Sequence, residues 1–167
     1  MTAPPRRRAT PLARSRAAAR PALSISVSRE RGVTGPSDPT VARVVRLVLR
    51  SEGVRRATLS IALVANPTIR RLNARFFRRR RTTDVIAFPL IGTGGATVGD
   101  VYVAPAVAAR SASALGIAVR EEVLRLVVHG VLHVLGRDHP EGPGRSRSAM
   151  WRRQEALLAR ALGQGGR

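Results

Sequence analysis

The sequence predicts a single α/β or α+β domain built on one sheet. Four short segments have the apolar or alternating pattern of strands, and about five others carry apolar residues at helical spacing. The two kinds are interleaved along the chain, which is how one sheet acquires covering helices. The length of 167 residues fits one domain with a substantial core, and no internal repeat is visible.

Residues 1–22 hold six arginines, four prolines and no acid, and read as a disordered basic tail. They lack the apolar stretch of a secretory signal, and the prolines disfavour the amphipathic helix of a transit peptide. The domain itself is expected over residues 23–162. Leu23 to Ser28 alternates apolar and polar, as a half-buried strand does. After a loop from Gly32 to Pro39, Thr40 to Arg50 has helical spacing, with Asp38 as its cap and Pro39 in its first turn. Thr58 to Val64 is the second strand. Asn66-Pro67 opens a short helix to about Phe76, capped by Asn66. Four arginines, 78–81, follow it.

Asp84 to Phe88 is the third strand, ended by Pro89. Gly92 to Ala96 is a turn too short, and without the Lys-Ser/Thr, for a phosphate-binding loop. Val98 to Val103 is the fourth strand, and the two are expected to form a hairpin. Pro105 to Leu115 reads as a helix ended by Gly116. Val119 to Leu135 has a broad apolar face, so that helix should be largely buried, with His129 and His133 on the narrower opposite stripe. Asp138 to Arg147 is a loop and Ser148 to Leu162 a final helix. Residues 163–167 are expected to fray.

All three histidines fall within eleven residues, at His129, His133 and His139. The i, i+4 spacing of the first two puts both imidazoles on one helical face. Gly136 can end the helix in a left-handed conformation, so that the chain turns and His139 returns from the side. Such a group is better read as a metal site than as three unrelated histidines. Three ligands leave one tetrahedral position open for water, the pattern of a catalytic site. Imidazole suits zinc, copper, nickel or iron, and three imidazoles with an open position suit zinc best, so one Zn2+ is expected.

The spacing overlaps the peptidase pattern H-E-x-x-H-x-x-G-x-x-H, but the glutamate that acts there as general base is Gly130 here. That substitution argues against a peptidase. The net charge of +20, carried entirely by arginine among the basic residues, points instead to a polyanion, and nucleic acid is the obvious one. Aromatics are 3% of the chain, which argues against base stacking as the main mode of binding. With no cysteine, neither a disulfide-linked partner nor a thiolate metal site is possible. No apolar run approaches the roughly 18 residues of a membrane span. A metal-activated water beside basic residues suits a phosphodiester. Asp138 could assist that water by bonding a histidine ring or accepting a proton.

Taken together, His129-Gly130-x-Leu132-His133-x-Leu135-Gly136-x-Asp138-His139 resembles the signature of the YbeY family of bacterial and organellar endoribonucleases. Leu72-Asn73, Thr83 to Pro89, Gly99-Asp100-Val101, Glu122 to Val128, and Met150 with Gln154-Glu155 extend the resemblance over roughly residues 23–162. It implies an α+β fold, a mixed four-stranded sheet with about five helices. It implies one zinc held by His129, His133 and His139, and cleavage of single-stranded RNA. The partners implied are ribosomal RNA and the small ribosomal subunit, in cytoplasmic 16S 3′-end maturation and ribosome quality control. Phe77 stands where the family usually has an arginine. Arg78 could substitute if the loop shifts, so Arg78, Arg80 and Arg81 are the candidate substrate-binding residues. That departure keeps open a non-catalytic reading, in which the chain binds RNA as an assembly factor and its zinc is structural.

Overall fold

The computed structural model describes residues 22–140, 144, 146 and 148–163. The basic tail before Ala22, part of the loop after Pro140 and residues 164–167 lie outside this set. Nine elements run in the order β1 (Ala22–Arg29), α1 (Asp38–Ser51), β2 (Arg56–Leu63), α2 (Asn66–Phe77), β3 (Val85–Leu90), β4 (Thr97–Val103), α3 (Pro105–Leu115), α4 (Val119–Val134) and α5 (Ala149–Gly163). The architecture is α+β, a four-stranded mixed sheet covered by five helices.

The sheet order is β1-β2-β4-β3. β1, β2 and β4 are parallel, and β3 returns antiparallel to β4 as the expected hairpin, pairing Val85 with Val103 and Leu90 with Val98. Parallel strands covered by helices become uniformly apolar on the covered face. Leu59, Ile61 and Leu63 of β2 are accordingly buried against Val44, Val48, Val127 and Val131 of α1 and α4. A second cluster lies on the other face of the sheet, where Ile69 of α2 joins Ile86 and Ala104, with Phe88 and Tyr102 packed against them.

Three local expectations are corrected. The cap of α1 is Ser37, whose Oγ accepts from the Thr40 amide at 3.4 Å. Asp38 is instead the first helical residue, and its carboxylate accepts from Arg29 of β1 at 2.8 Å. Asn66 likewise lies inside α2, with Ala65 at the cap position. The Ala65 amide donates to the carboxylate of Glu30 at 3.0 Å, so a residue from the end of β1 supplies the acceptor there. Pro89 does not end β3 but sits within it. β3 is an edge strand, where a residue lacking an N–H is tolerated on the open side.

α4 is the central helix. It packs on β3 and β4 and is flanked by α1, α3 and α5. Enclosure from so many sides buries His129 along with the apolar residues, while His133, nearer the end of the helix, stays half-buried. No helix among the described residues is long and apolar enough to cross a membrane.

Candidate metal centre

The candidate centre begins with the fit between α4 and the sheet. Gly130 lies where the helix meets β3 and β4, and a Cβ added there would clash with Val101 Cγ1 and stand 3.2 Å from Val85 Cγ2. The lack of a side chain lets α4 sit low on the sheet. It also explains the missing peptidase glutamate, since position 130 faces the sheet core. One residue earlier, His129 turns the other way into a cleft.

α4 ends as the glycine at 136 predicts. Gly136 has φ 75°, and its amide donates to the His133 carbonyl at 2.9 Å. The reversal brings His139 back over the helix end. Asp138 Oδ1 accepts from the His139 amide at 2.8 Å and so braces this turn. His129 Nε2 then lies 3.0 Å from His133 Nε2 and 3.4 Å from His139 Nε2. A tetrahedral ion with nitrogen ligands at about 2.05 Å has ligand-to-ligand edges of about 3.3 Å. Both edges measured from His129 are near this length, and the ligand atoms of the three histidines all lie within 4.8 Å of one another, so this group is able to hold a metal.

Two of the rings are oriented by acceptors behind them. Nδ1 of His129 lies 2.7 Å from Oε1 of Gln154, a fully buried residue of α5. Nδ1 of His139 lies 3.0 Å from the carbonyl of Pro140. An acceptor at Nδ1 requires the proton there and leaves the Nε2 lone pair for a metal. Gln154 is itself held, donating from Nε2 to Glu155 at 2.9 Å, and Glu155 accepts from Arg125 of α4 at 3.0 Å. Arg125 also binds Glu121 and Glu122. Burial works against the Arg125 charge, but the hydrogen bonds it donates to Glu122 and Glu155 outweigh it and raise its pKa. Glu122 thus serves this ion-pair cluster and is not among the metal-site residues.

The histidines open onto a cleft of about 590 Å³ between the end of α4 and β3. Its walls include Asp84, Asn73, Phe77, Arg79 and Arg137. Asp138 also lines it, with Oδ1 3.9 Å from His133 Nδ1, beyond hydrogen-bond range. Arg78, Arg80 and Arg81 are exposed and lie outside the cleft wall. Arg78 adopts the left-handed conformation, with φ 57°, just past α2. The loop is pinned by buried Asn73, whose Nδ2 donates to the Arg81 carbonyl at 2.8 Å. This arrangement turns Arg79 toward the cleft.

Comparison with known proteins bears on the whole domain. The family model for endoribonuclease YbeY matches residues 30–162. The chain belongs to the endoribonuclease YbeY family. The endoribonuclease YbeY of Thermobifida fusca is 38% identical over 148 residues, covering 82% of this chain and 93% of that protein. The endoribonuclease YbeY of Salinispora tropica is 36% identical over 152 residues, covering 82% and 95%. The solution structure of a Thermotoga maritima protein superposes with a TM-score of 0.59 at 25% identity, covering 84% of this chain and 90% of that one. Within the YbeY frame, sequence reasoning found the three histidines but missed Gln154 as the support of His129. The Gln154-Glu155 pair matched the family pattern, yet a glutamine gives no metal-ligand signal by itself.

Proposed function

We propose that this YbeY-family chain is a zinc-dependent endoribonuclease that cleaves single-stranded RNA, with His129, His133 and His139 as the zinc ligands. The observation that carries the reading is the convergence of His133 Nε2 and His139 Nε2 on His129 Nε2, at 3.0 Å and 3.4 Å, in a cleft whose wall includes Arg79 and Arg137. Zinc, when bound, supplies a Lewis acid and lowers the pKa of water toward 7. The protein's own groups do the rest. Gln154 and the Pro140 carbonyl fix two of the rings. Arg79 and Arg137 stand where they can hold phosphate oxygens and offset charge during cleavage. Arg78, Arg80 and Arg81 continue this basic path outside the cleft. Asp138 is exposed and close enough to His133 to take up a proton through a water. The ribosomal setting follows from the family resemblance: 16S 3′-end maturation and ribosome quality control, in the cytoplasm, with ribosomal RNA and the small subunit as partners.

The test is cleavage of single-stranded RNA by zinc-loaded wild type beside His133→Ala, with folding checked for both. Wild type should contain near-stoichiometric zinc and cut, and chelation or His133→Ala should abolish cutting. Cleavage that survives both treatments overturns the reading. Phe77 in place of the family arginine favours a second reading, an RNA-binding assembly factor with structural zinc. It predicts tight RNA binding without cleavage in any preparation, and His129→Ala lowering melting temperature and RNA binding together.

A further inference from the structure

The chain has five aromatic residues, and four of them meet at one place. Phe88 and Tyr102 lie side by side on β3 and β4, with ring centroids 6.0 Å apart. Phe76 and Phe77, at the end of α2, reach Phe88 at 4.9 Å and 6.0 Å. The two α2 rings are far from sequestered, with exposures of 54% and 47%. Large exposed aromatics side by side call for an explanation in a folded domain. Phe76 is the less available of the two, since the Arg75 guanidinium lies 5.5 Å over its ring. Phe77 packs nearly parallel to Phe88, at 20° between planes, and also forms part of the metal cleft wall.

The segment that carries Phe77 is strongly basic, while Asp84 and Asp138 share the cleft wall with it. Residues 66–83 include seven arginines and no acid, and all seven are exposed. An exposed ring set in a dense basic track, at the mouth of a hydrolytic cleft, has the chemistry of a single-strand nucleic-acid site. There arginines follow the backbone and a ring receives a base, whatever its sequence. Duplex RNA cannot offer its bases to such a ring, because they are stacked and paired.

We propose that Phe77 is a base-stacking residue, seating one unpaired base of the RNA strand beside the metal centre and so contributing to single-strand selectivity. The inference rests on the endoribonuclease reading and deepens it. In this arrangement the Phe77 ring holds a base, and the neighbouring arginines are left to hold the phosphates.

The experiment uses the full zinc-loaded chain and a short oligouridine RNA carrying one central 2-aminopurine, whose fluorescence reports stacking. Stopped-flow mixing reads binding before cleavage. Wild type should bind the single strand with quenching. Phe77→Trp should retain both. Phe77→Ala and Phe77→Leu should lose the quenching and weaken single-strand binding by about five- to a hundredfold, with little change for duplex RNA. Phe77→Leu keeps apolar bulk without an aromatic face, so its melting temperature, near wild type, separates stacking from folding. Equal affinity and quenching in wild type and Phe77→Leu overturn the stacking proposal and leave the endoribonuclease reading standing. Wild type that neither binds nor cuts single-stranded RNA overturns both.

Discussion

Gln154 is the residue on which the three-histidine group leans without belonging to it. A histidine free to rotate, or protonated on the wrong nitrogen, is a poor ligand, and the groups that prevent this typically matter by 10–100-fold in metal affinity. Gln154→Leu should therefore weaken zinc binding by about that factor in a chelator competition, while the metal-free protein melts no lower than wild type. Unchanged affinity would mean that packing alone orients His129. Gly130 is constrained from the opposite side. Gly130→Ala gains helix propensity but drives a methyl into Val101, and overpacking of this kind costs about 1–3 kcal/mol in a denaturant titration. The three histidines were legible in sequence because two share a helix face and the third follows a glycine stop, all local geometry. Gln154 was not, because it lies 25 residues beyond His129 and meets it only when α5 docks on α4.

At the scale of elements, the turn that carries His139 is tied to α1 and α5 through Glu52. This residue ends α1, and its side chain is only 5% exposed. It accepts from Arg153 of α5 at 2.6 Å and from Arg137, just after α4, at 2.8 Å. Burial opposes ionisation of Glu52, but hydrogen bonds from Arg153 and Arg137 outweigh it and hold its pKa below the ordinary 4.5. A depressed carboxylate pKa means that the unfolded state binds the proton more readily. The stabilisation is then fully present above about pH 4.5 and is lost as pH falls through the lower, folded-state value. Thermal melts of wild type should show this acid loss, and Glu52→Gln should reduce it while costing about 1–2 kcal/mol at neutral pH. An identical pH profile in the two proteins would mean that Glu52 adds nothing to acid sensitivity. Periodicity gave the helices and strands well, because burial on one face imposes it. It misplaced two caps because the deciding partners, Arg29 for Asp38 and Glu30 for Ala65, come from another element.

For the whole molecule, the open question is whether a charge of +20 acts as a diffuse field or along a path. The two differ measurably. Each phosphate neutralised on a single strand adds roughly 0.7 to the slope of log affinity against log salt, whereas diffuse charge changes little when one or two arginines are removed. Arg80 and Arg81 are exposed beside the cleft but do not line it. If the strand runs from the cleft along the segment after α2, Arg80→Gln with Arg81→Gln should lower that slope by roughly 1.4. The cleavage rate at saturating RNA should hardly change, since neither side chain lines the cleft that holds the histidines. The same pair of changes at Arg46 and Arg50 of α1, which do not line the cleft, should leave the slope near wild type. Equal losses from both pairs would show that the charge attracts RNA without directing it, and the path from the four-arginine loop to the metal centre would have to be abandoned.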